Sequence, residues 1–324
     1  MAEKQKNKTL QKIKNDVIYG LALAVSWFAT KLPLKYGRKL GRAIGGLAWP
    51  LLGYERNCTM IHLGVAFPDW SEQKRREVGK ESFRNLGEYF FEFWHTKELL
   101  DSIESDNPQI VLDGFEHTAK IFEEGRGAIV VTGHFGHWEL MAATASKYFP
   151  GNTIVRSLYD PRLDKILQDH RREFKYKPLA RGGEQLMIDI VTVLQKNEAL
   201  ALLIDQDTKV RGVFADFFGK PAWTPSGASY LCYQADRDAV LLGNYRREDG
   251  MRVVYFTPPI PRPKTGDMKA DVAEYTARLN EAICKQIGDH PTEWVWMHRR
   301  WKTRPEGEAK EDHPAPRPRK PYRY

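Results

Sequence analysis

Residues 130–140 read Val130-Val131-Thr132-Gly133-His134-Phe135-Gly136-His137-Trp138-Glu139-Leu140, and they carry the most informative pattern of the chain. The apolar, β-branched residues before the first glycine are typical of a buried strand, whereas residues 138–147 have the pattern of a helix. Gly133 and Gly136 permit a tight turn between the two. A strand that passes through a polar turn into a helix is the building unit of α/β sheets.

The turn also carries a histidine and a glutamate, and this pair predicts a general base. Across a turn, unlike within one continuous helix, Glu139 can fold back to the ring of His134, fix its tautomer and stabilise the imidazolium. An alternative is that His134 only ends the strand while Glu139 interacts with the helix dipole. We consider a zinc site with His137 less favoured, because the two histidines lack the i, i+4 spacing of a helical zinc pair.

The rest of the chain repeats the alternation of strand and helix. Short β-rich runs occupy residues 110–112, 128–131, 153–156, 200–204, 239–244 and 252–256. Helical patterns occupy residues 118–124, 138–147, 162–174, 184–195, 226–235 and 271–287. This order predicts an α/β fold with a largely parallel sheet flanked by helices.

The N-terminal part is basic and then apolar. Lysines crowd the first residues, and 17–30 is an uncharged run that is shorter than the roughly 20 apolar residues needed to cross a bilayer. Gly37, Gly41 and Gly45 follow at helical spacing among cations. We expect residues 1–54 to form an N-terminal basic segment with a helical membrane anchor that lies in or partly through the interface. The alternative is a pair of amphipathic helices that pack on the protein's own core.

Composition and charge set the remaining boundaries. We expect residues 55–304 to form one catalytic domain and residues 305–324, which are basic and rich in proline, to form a disordered tail. An aromatic stripe within the helical pattern of residues 71–100 is more typical of core than of an acyl-chain groove. The net charge of +8 favours an anionic membrane or an acidic partner, and no nucleic-acid motif accompanies it. Cys58, Cys232 and Cys284 lie far apart and indicate neither a disulfide framework nor a zinc ribbon.

Further polar residues follow the ends of predicted strands. In an open α/β sheet, ligands bind outside the carboxyl ends of the strands, so these residues are expected to converge on His134. Arg156 and Arg181 are candidates for holding a phosphate, although a solvated loop charge is the simpler interpretation of either arginine alone. The acidic segment Asp205-Gln206-Asp207 ends another strand. No GxSxG elbow, Walker phosphate loop or GxGxxG turn is present, which favours direct attack by a substrate hydroxyl on an activated acyl group.

Taken together, these motifs resemble those of the bacterial lipid A biosynthesis (late) acyltransferases, the lauroyl/myristoyl transferase family of the wider glycerolipid acyltransferase-like group with an HxxxxD/E motif. The similarity extends over about residues 17–307. It rests on Arg56-Asn57, Phe67-Pro68, the core from His134 to Leu140 with its HX4E motif, Asp205-Gln206-Asp207, Val213-Phe214, Phe217-Phe218-Gly219, Thr224, Pro258-Pro259 and the closing run from Trp296 to Pro305. One departure is His137, where that family usually has asparagine.

The resemblance implies that His134 and Glu139 are catalytic and that Arg156, Arg181, Asp205, Gln206 and Asp207 bind substrate. The expected reaction moves a fatty acyl group from acyl carrier protein or acyl-CoA to a hydroxyl of a membrane glycolipid, most simply a lipid A precursor. We expect backbone N–H groups near Gly133 and Gly136 to stabilise the oxyanion. We expect neither a metal nor a cofactor, and we expect the cytoplasmic face of the bacterial inner membrane as the location. Acylation of another polar lipid, lipid hydrolysis and non-catalytic lipid binding remain alternatives.

Overall fold

The fold is a seven-stranded sheet covered by helices on both faces. In this computed structural model, which describes residues 2–308, the elements run in the following order: α1 (Ala2–Lys31), α2 (Leu34–Leu51), α3 (Gly53–Ala66), α4 (Glu72–Trp94), α5 (Thr96–Asp101), β1 (Ile110–Asp113), α6 (Phe115–Glu123), β2 (Ala128–Thr132), α7 (Trp138–Tyr148), β3 (Gly151–Val155), α8 (Pro161–Glu173), β4 (Tyr176–Ala180), α9 (Leu186–Gln195), β5 (Ala199–Leu203), β6 (Gly212–Phe217), β7 (Lys220–Pro225), α10 (Gly227–Gln234), β8 (Val240–Arg246), β9 (Arg252–Phe256) and α11 (Met268–Asp289). Short 3₁₀ helices follow α5 and α11.

The strand order of the sheet is β1-β9-β8-β2-β5-β3-β4. Every neighbouring pair is parallel except β8 with β9. The prediction of a largely parallel sheet is therefore confirmed. In the centre, all five residues of β2 are buried, as the continuous apolar run from Ala128 predicts for a strand that is covered on both faces.

Two apolar cores lie on opposite sides of the sheet. One packs α9, α10 and α11 against it and contains Trp294, Trp296 and Trp301. The other packs α5 and α7 against the opposite face and contains Leu140 and Met141. Because both faces are covered, the polar carboxyl edge of the parallel strands is where side chains can meet a ligand.

The glycines of α2 pack inside the protein. A Cβ added to Gly41 would lie 2.3 Å from the carbonyl oxygen of Gly87 in α4, and one added to Gly45 would lie 2.1 Å from that of Phe83. The glycine spacing therefore serves a close helix crossing within the chain, and for α2 the alternative of packing on the protein's own core is the one observed. No helix in residues 2–308 is both long and apolar enough to cross a membrane. Most of the predicted tail, residues 309–324, lies outside the described residues.

Candidate active site

The site is built at the carboxyl edge, where β2 ends and α7 begins. His134 lies in the connecting turn, and its backbone N–H and its ring Nδ1–H both donate to the carboxylate of Asp205, at 2.8 and 2.9 Å. Asp205 follows β5, the neighbour of β2 in the sheet. Trp294 completes the arrangement because its indole N–H donates to Asp205 at 2.9 Å. Asp205 therefore fixes both the position and the tautomer of His134.

The charge state of Asp205 follows from these contacts. Complete burial by itself would raise its pKa, but the charge of the His134 ring and three donated hydrogen bonds outweigh that effect and hold the pKa of Asp205 well below its usual range. An ionised carboxylate on Nδ1–H leaves Nε2 of His134 as the acceptor of a proton. No group in residues 2–308 hydrogen-bonds to Nε2, and about a quarter of the side chain is accessible.

Glu139 does not have the role that its spacing suggested. Its carboxylate accepts two hydrogen bonds from Arg171, at 3.1 and 2.5 Å, and one from the hydroxyl of Tyr176 at 2.5 Å. Burial would raise the pKa of Glu139, but the bonds from Arg171 lower it below the usual range. The expectation that Glu139 orients the ring of His134 is corrected here, since that position is occupied by Asp205. Glu139 instead fixes Arg171 in the wall of the site.

Gly133 and Gly136 are required in the turn because they have no side chain, and other groups of the protein lie where a Cβ would be. A Cβ on Gly133 would lie 2.9 Å from the carboxyl carbon of Asp205, so glycine lets this carboxylate approach. Gly136 has φ +56° and lies against Asn244. Its N–H donates to the backbone carbonyl of Glu293 at 2.8 Å, and that of His134 is bonded to Asp205. Of the backbone N–H groups near Gly133 and Gly136 that were expected to stabilise an oxyanion, those of His134 and Gly136 are thus engaged with protein acceptors.

Asn244 holds the turn from the side of β8. Its side-chain oxygen accepts the N–H of His137 at 2.9 Å, and its amide donates to the carbonyl of Phe135 at 3.0 Å. The same oxygen accepts a bond from Arg252, whose guanidinium also contacts the buried carboxylate of Glu92. His137 itself caps α7 by accepting the N–H of Leu140, and burial lowers the pKa of His137 to about 3. His137 is therefore neutral and structural.

The three residues of the acidic segment after β5, Asp205, Gln206 and Asp207, have different surroundings. Asp205 positions His134, and the amide of Gln206 lies 3.0 Å from Nδ1 of His134 and 3.4 Å from Nε2 of His298. Asp207 faces the other way, where it accepts bonds from the backbone and hydroxyl of Thr303 at 2.7 and 3.0 Å. Asp205 and Asp207, predicted to bind substrate, are both buried and do not line the cavity described next.

A cavity of about 1110 Å³ begins beside His134. It follows α7 toward the opposite edge of the sheet, between small side chains, and reaches three phenylalanines that surround its far part. The small residues are Ala142, Ala145, Gly151, Ala199 and Ala201. The phenylalanines are Phe122, Phe149 and Phe256, with the first two rings stacked at 4.4 Å. Such a channel accommodates a flexible apolar chain but no bulky polar ligand.

Cations surround the polar end of the cavity. Arg156 and Arg181 follow β3 and β4, which pair side by side, and the N–H of Arg181 donates to the carbonyl of Val155 at 2.8 Å. Both arginines line the cavity, together with Arg211 at the start of the β6–β7 hairpin, and their binding of substrate stays a prediction. A group of exposed guanidinium groups beside an apolar channel suits an amphiphile with an anionic head.

Three members of the site were not found from the sequence. His298 places its ring 5.3 Å from that of His134, and burial lowers the pKa of His298 to about 4. Arg171 and Tyr176 bind Glu139 from α8 and β4. His298 belongs to the quoted motif from Trp296 to Pro305, which is a usable signal. Arg171 looks like an ordinary helix charge until the fold brings it to Glu139.

Comparisons with known proteins find a matching family and several relatives. Residues 3–303 match the family model described as bacterial lipid A biosynthesis acyltransferase. The lipid A biosynthesis lauroyltransferase of Escherichia coli (strain K12) is 29% identical over 298 residues, 89% of this chain and 92% of that protein. The palmitoleoyltransferase of the same strain is 27% identical over 297 residues, with the same coverage. A phosphatidylinositol mannoside acyltransferase of Mycobacterium tuberculosis (strain ATCC 25618 / H37Rv) is 26% identical over 195 residues, 59% of this chain and 60% of that protein.

Proposed function

The chain belongs to the bacterial lipid A biosynthesis acyltransferase family and is an acyltransferase, and we propose that it moves a fatty acyl group from a thioester to a hydroxyl of a lipid A precursor. The observation that carries the proposal is the His134–Asp205 pair at the polar end of an apolar channel. A base beside a chain-shaped cavity suits attack by a hydroxyl on an acyl group that lies in the channel.

The proposed reaction follows from the free Nε2 of His134. Nε2 takes the proton from the acceptor hydroxyl while the oxygen attacks the thioester carbonyl carbon, and Asp205 stabilises the imidazolium that forms. The tetrahedral intermediate then collapses, the carbon–sulfur bond breaks, and the leaving thiolate recovers the proton from His134. Among the candidate donors to the oxyanion we favour the amide of Gln206, because the backbone N–H groups of His134 and Gly136 are engaged.

The two ends of the cavity suit the two parts of the substrates. We assign the apolar channel along α7 to the transferred acyl chain and the arginines at its mouth to phosphates of the glycolipid acceptor. The donor is acyl carrier protein or acyl-CoA, and the net charge of +8 favours the approach of either acidic donor. No metal or resident cofactor enters this proposal.

We further propose that the enzyme works on the cytoplasmic face of the inner membrane, with α1 and α2 lying in the interface. Apolar side chains on these helices support the proposal because they are exposed to solvent: Val17, Ile18, Leu21, Trp27, Phe28, Ile44, Leu47 and Leu51. Basic residues on the same two helices suit anionic headgroups.

The test uses purified enzyme with an acyl thioester and a detergent-dispersed lipid A precursor, and mass spectrometry of the product. We expect His134→Ala to abolish transfer, and the matched surface variant His117→Ala to retain it. Arg156→Lys and Arg181→Lys should raise the KM for the acceptor, unlike Arg278→Lys on α11. Free fatty acid without an acylated acceptor would favour a hydrolase, and selective acylation of another polar lipid would replace the lipid A precursor.

A further inference from the structure

Helix α9 is apolar on two sides, and only one of them is covered. Its sole polar residues are Asp189, Thr192 and Gln195. Ile190, Val193 and Leu194 pack into the core, whereas Met187, Ile188 and Val191 are 57%, 60% and 50% exposed. A helix that is apolar all round is normally buried on all sides. The outer side of α9 is therefore expected to be covered by something else.

The segment between β3 and α8 also exposes apolar side chains. Leu158 and Tyr159 are 46% and 77% exposed. They leave the carboxyl end of β3, next to the end of β4 from which the chain leads into α9. We call Leu158, Tyr159, Met187, Ile188 and Val191 the α9 patch. Clustered apolar side chains on a surface mark an interaction site, whereas scattered ones do not.

The charges beside the α9 patch identify what covers it. Arg156 precedes Leu158 by two residues and Arg181 precedes α9, and neither guanidinium has an ion-pair partner among the side chains that the structure describes. Apolar side chains flanked by free arginines match the boundary between acyl chains and anionic headgroups in a bilayer. An acidic protein surface would satisfy the arginines but would not need the apolar residues to be exposed beside them.

The position of the patch supports the same occupant. Leu158 and Leu186 line the cavity, and so do Ala22 and Ser26 of α1. Helix α1 is held there by the ion pair of Asp16 with Arg162 at 2.7 Å, and it also exposes apolar residues. Exposed apolar elements from two distant parts of the chain thus border one cavity mouth.

We propose that the α9 patch is a second membrane contact, which inserts into an anionic bilayer so that the cavity mouth opens directly on the lipid. In this position Arg156 and Arg181 lie at the level of the lipid phosphates. A cavity that opens on the bilayer has a use only if the acceptor is a lipid, and in that respect the inference rests on the proposed function. Binding to vesicles is nevertheless measured without any turnover.

The first experiment measures co-sedimentation of the full chain with phosphatidylglycerol vesicles and with phosphatidylcholine vesicles. The triple variant Met187→Ser/Ile188→Ser/Val191→Ser should bind phosphatidylglycerol vesicles about tenfold more weakly or worse, because three apolar side chains no longer leave water. Met268→Ser, an exposed methionine on α11, is the matched control and should bind normally. An unchanged Tm shows that the triple variant is folded.

The second experiment reports insertion at one position. An environment-sensitive fluorophore on Ile188→Cys should shift its emission to the blue with phosphatidylglycerol vesicles, and the same label on Met268→Cys should not. The native cysteines interfere little because Cys58 and Cys232 are buried and Cys284 is partly buried. Normal vesicle binding by the triple variant, or an unshifted label, overturns the proposal. If light scattering instead shows a dimer that the triple variant dissociates, a second copy covers the patch and the membrane is rejected.

The two proposals fail separately. With a detergent-dispersed acceptor, the triple variant should retain the turnover of the wild type, since it leaves His134 and Asp205 intact. Acyl transfer by His134→Ala would refute the proposed function and leave the vesicle result standing. Unaltered vesicle binding together with inactive His134→Ala would refute only the second membrane contact.

Discussion

At the scale of single residues, the carboxylate that orients His134 comes from 71 positions further along the chain. Local spacing pointed to Glu139, which is closer in sequence but is bound to Arg171 and Tyr176. The histidine itself was predictable because a polar turn between a buried strand and a helix is an unusual place for it. Its partner was not, because the pairing of β2 with β5 decides which strand end lies beside the turn.

Replacement of Asp205 by asparagine should lower kcat by roughly 10²- to 10⁴-fold, because the imidazolium loses its counter-charge and the tautomer of His134 is no longer fixed. KM for both substrates should change little, since Asp205 does not line the cavity. Steady-state kinetics with each substrate varied in turn measure both effects. Asp207→Asn is the control, and it should reduce stability more than kcat because Asp207 holds Thr303. An Asp205→Asn enzyme with normal kcat would remove Asp205 from the mechanism.

The Glu139–Arg171 pair predicts a different pattern. Glu139→Ala should cost about 3 kcal/mol of unfolding free energy, because it leaves the largely buried guanidinium of Arg171 without a counter-charge. The double variant Glu139→Ala/Arg171→Met should recover part of that loss. Urea unfolding of the wild type, both single variants and the double variant gives the coupling. A single variant that is as stable as the wild type yet inactive would show instead that Glu139 acts directly on substrate.

At the scale of elements, α2 and α4 cross so closely that only glycine fits at the contact. A Cβ on Gly87 would lie 2.1 Å from the carbonyl oxygen of Gly41. Gly87→Ala should therefore separate the helices and reduce the unfolding free energy by about 1–3 kcal/mol, despite the better helix propensity of alanine. Gly46→Ala in α2, the other helix of this pair, meets only the flexible side chain of Arg84, at 3.4 Å, and should be neutral or slightly stabilising. Thermal unfolding of both variants tests this, and equal Tm values would refute the close crossing.

The elements also show where sequence patterns succeed and fail. The buried strands β2 and β9 were predicted almost to the residue because each contains a continuous apolar run, over residues 128–131 and 253–256. Strand β4 was missed because Pro178 lies within it, and proline is tolerated there because β4 is at the edge of the sheet. The β6–β7 hairpin was missed as well, since its six-residue strands contain charges and prolines and pair only with each other. Edge strands and isolated hairpins are not buried along their whole length, so their sequences lack the continuous apolar run that predicts a strand.

At the scale of the whole molecule, the sheet topology determines both which residues form the site and where the apolar cavity lies. Parallel strands bring the ends of β2, β3, β4 and β5 to one edge, so it was predictable from their positions after strands that Arg156, Arg181 and Gln206 would border the same cavity as His134. The cavity was not predictable, because it depends on small residues from α7 and β5 facing each other across the core. A single fold thus places the His134–Asp205 pair beside a cavity that is lined largely by apolar side chains.

Buried histidines distributed through the molecule make its stability depend on pH. Burial lowers the pKa of His62 and of His298 to about 4, and that of His137 to about 3. In the unfolded chain each of these histidines takes up a proton near pH 6.5, roughly the usual pKa of the imidazole. Between those values the unfolded chain binds more protons than the folded one, so lowering the pH through this window destabilises the fold.

We therefore expect the unfolding free energy to fall by about 2 kcal/mol for each of these histidines between about pH 7 and pH 5. His62 offers the cleanest test because its ring bonds to the carbonyl of Trp296, away from the His134–Asp205 pair. The glutamine side chain of His62→Gln is uncharged at every pH. The unfolding free energy of this variant should therefore fall less between these pH values than that of the wild type, by about the contribution of one histidine. Urea unfolding at both pH values, with the partly exposed His117→Gln as control, measures the difference. Parallel pH dependences for the wild type and His62→Gln would mean that His62 becomes protonated in the folded protein as readily as in water.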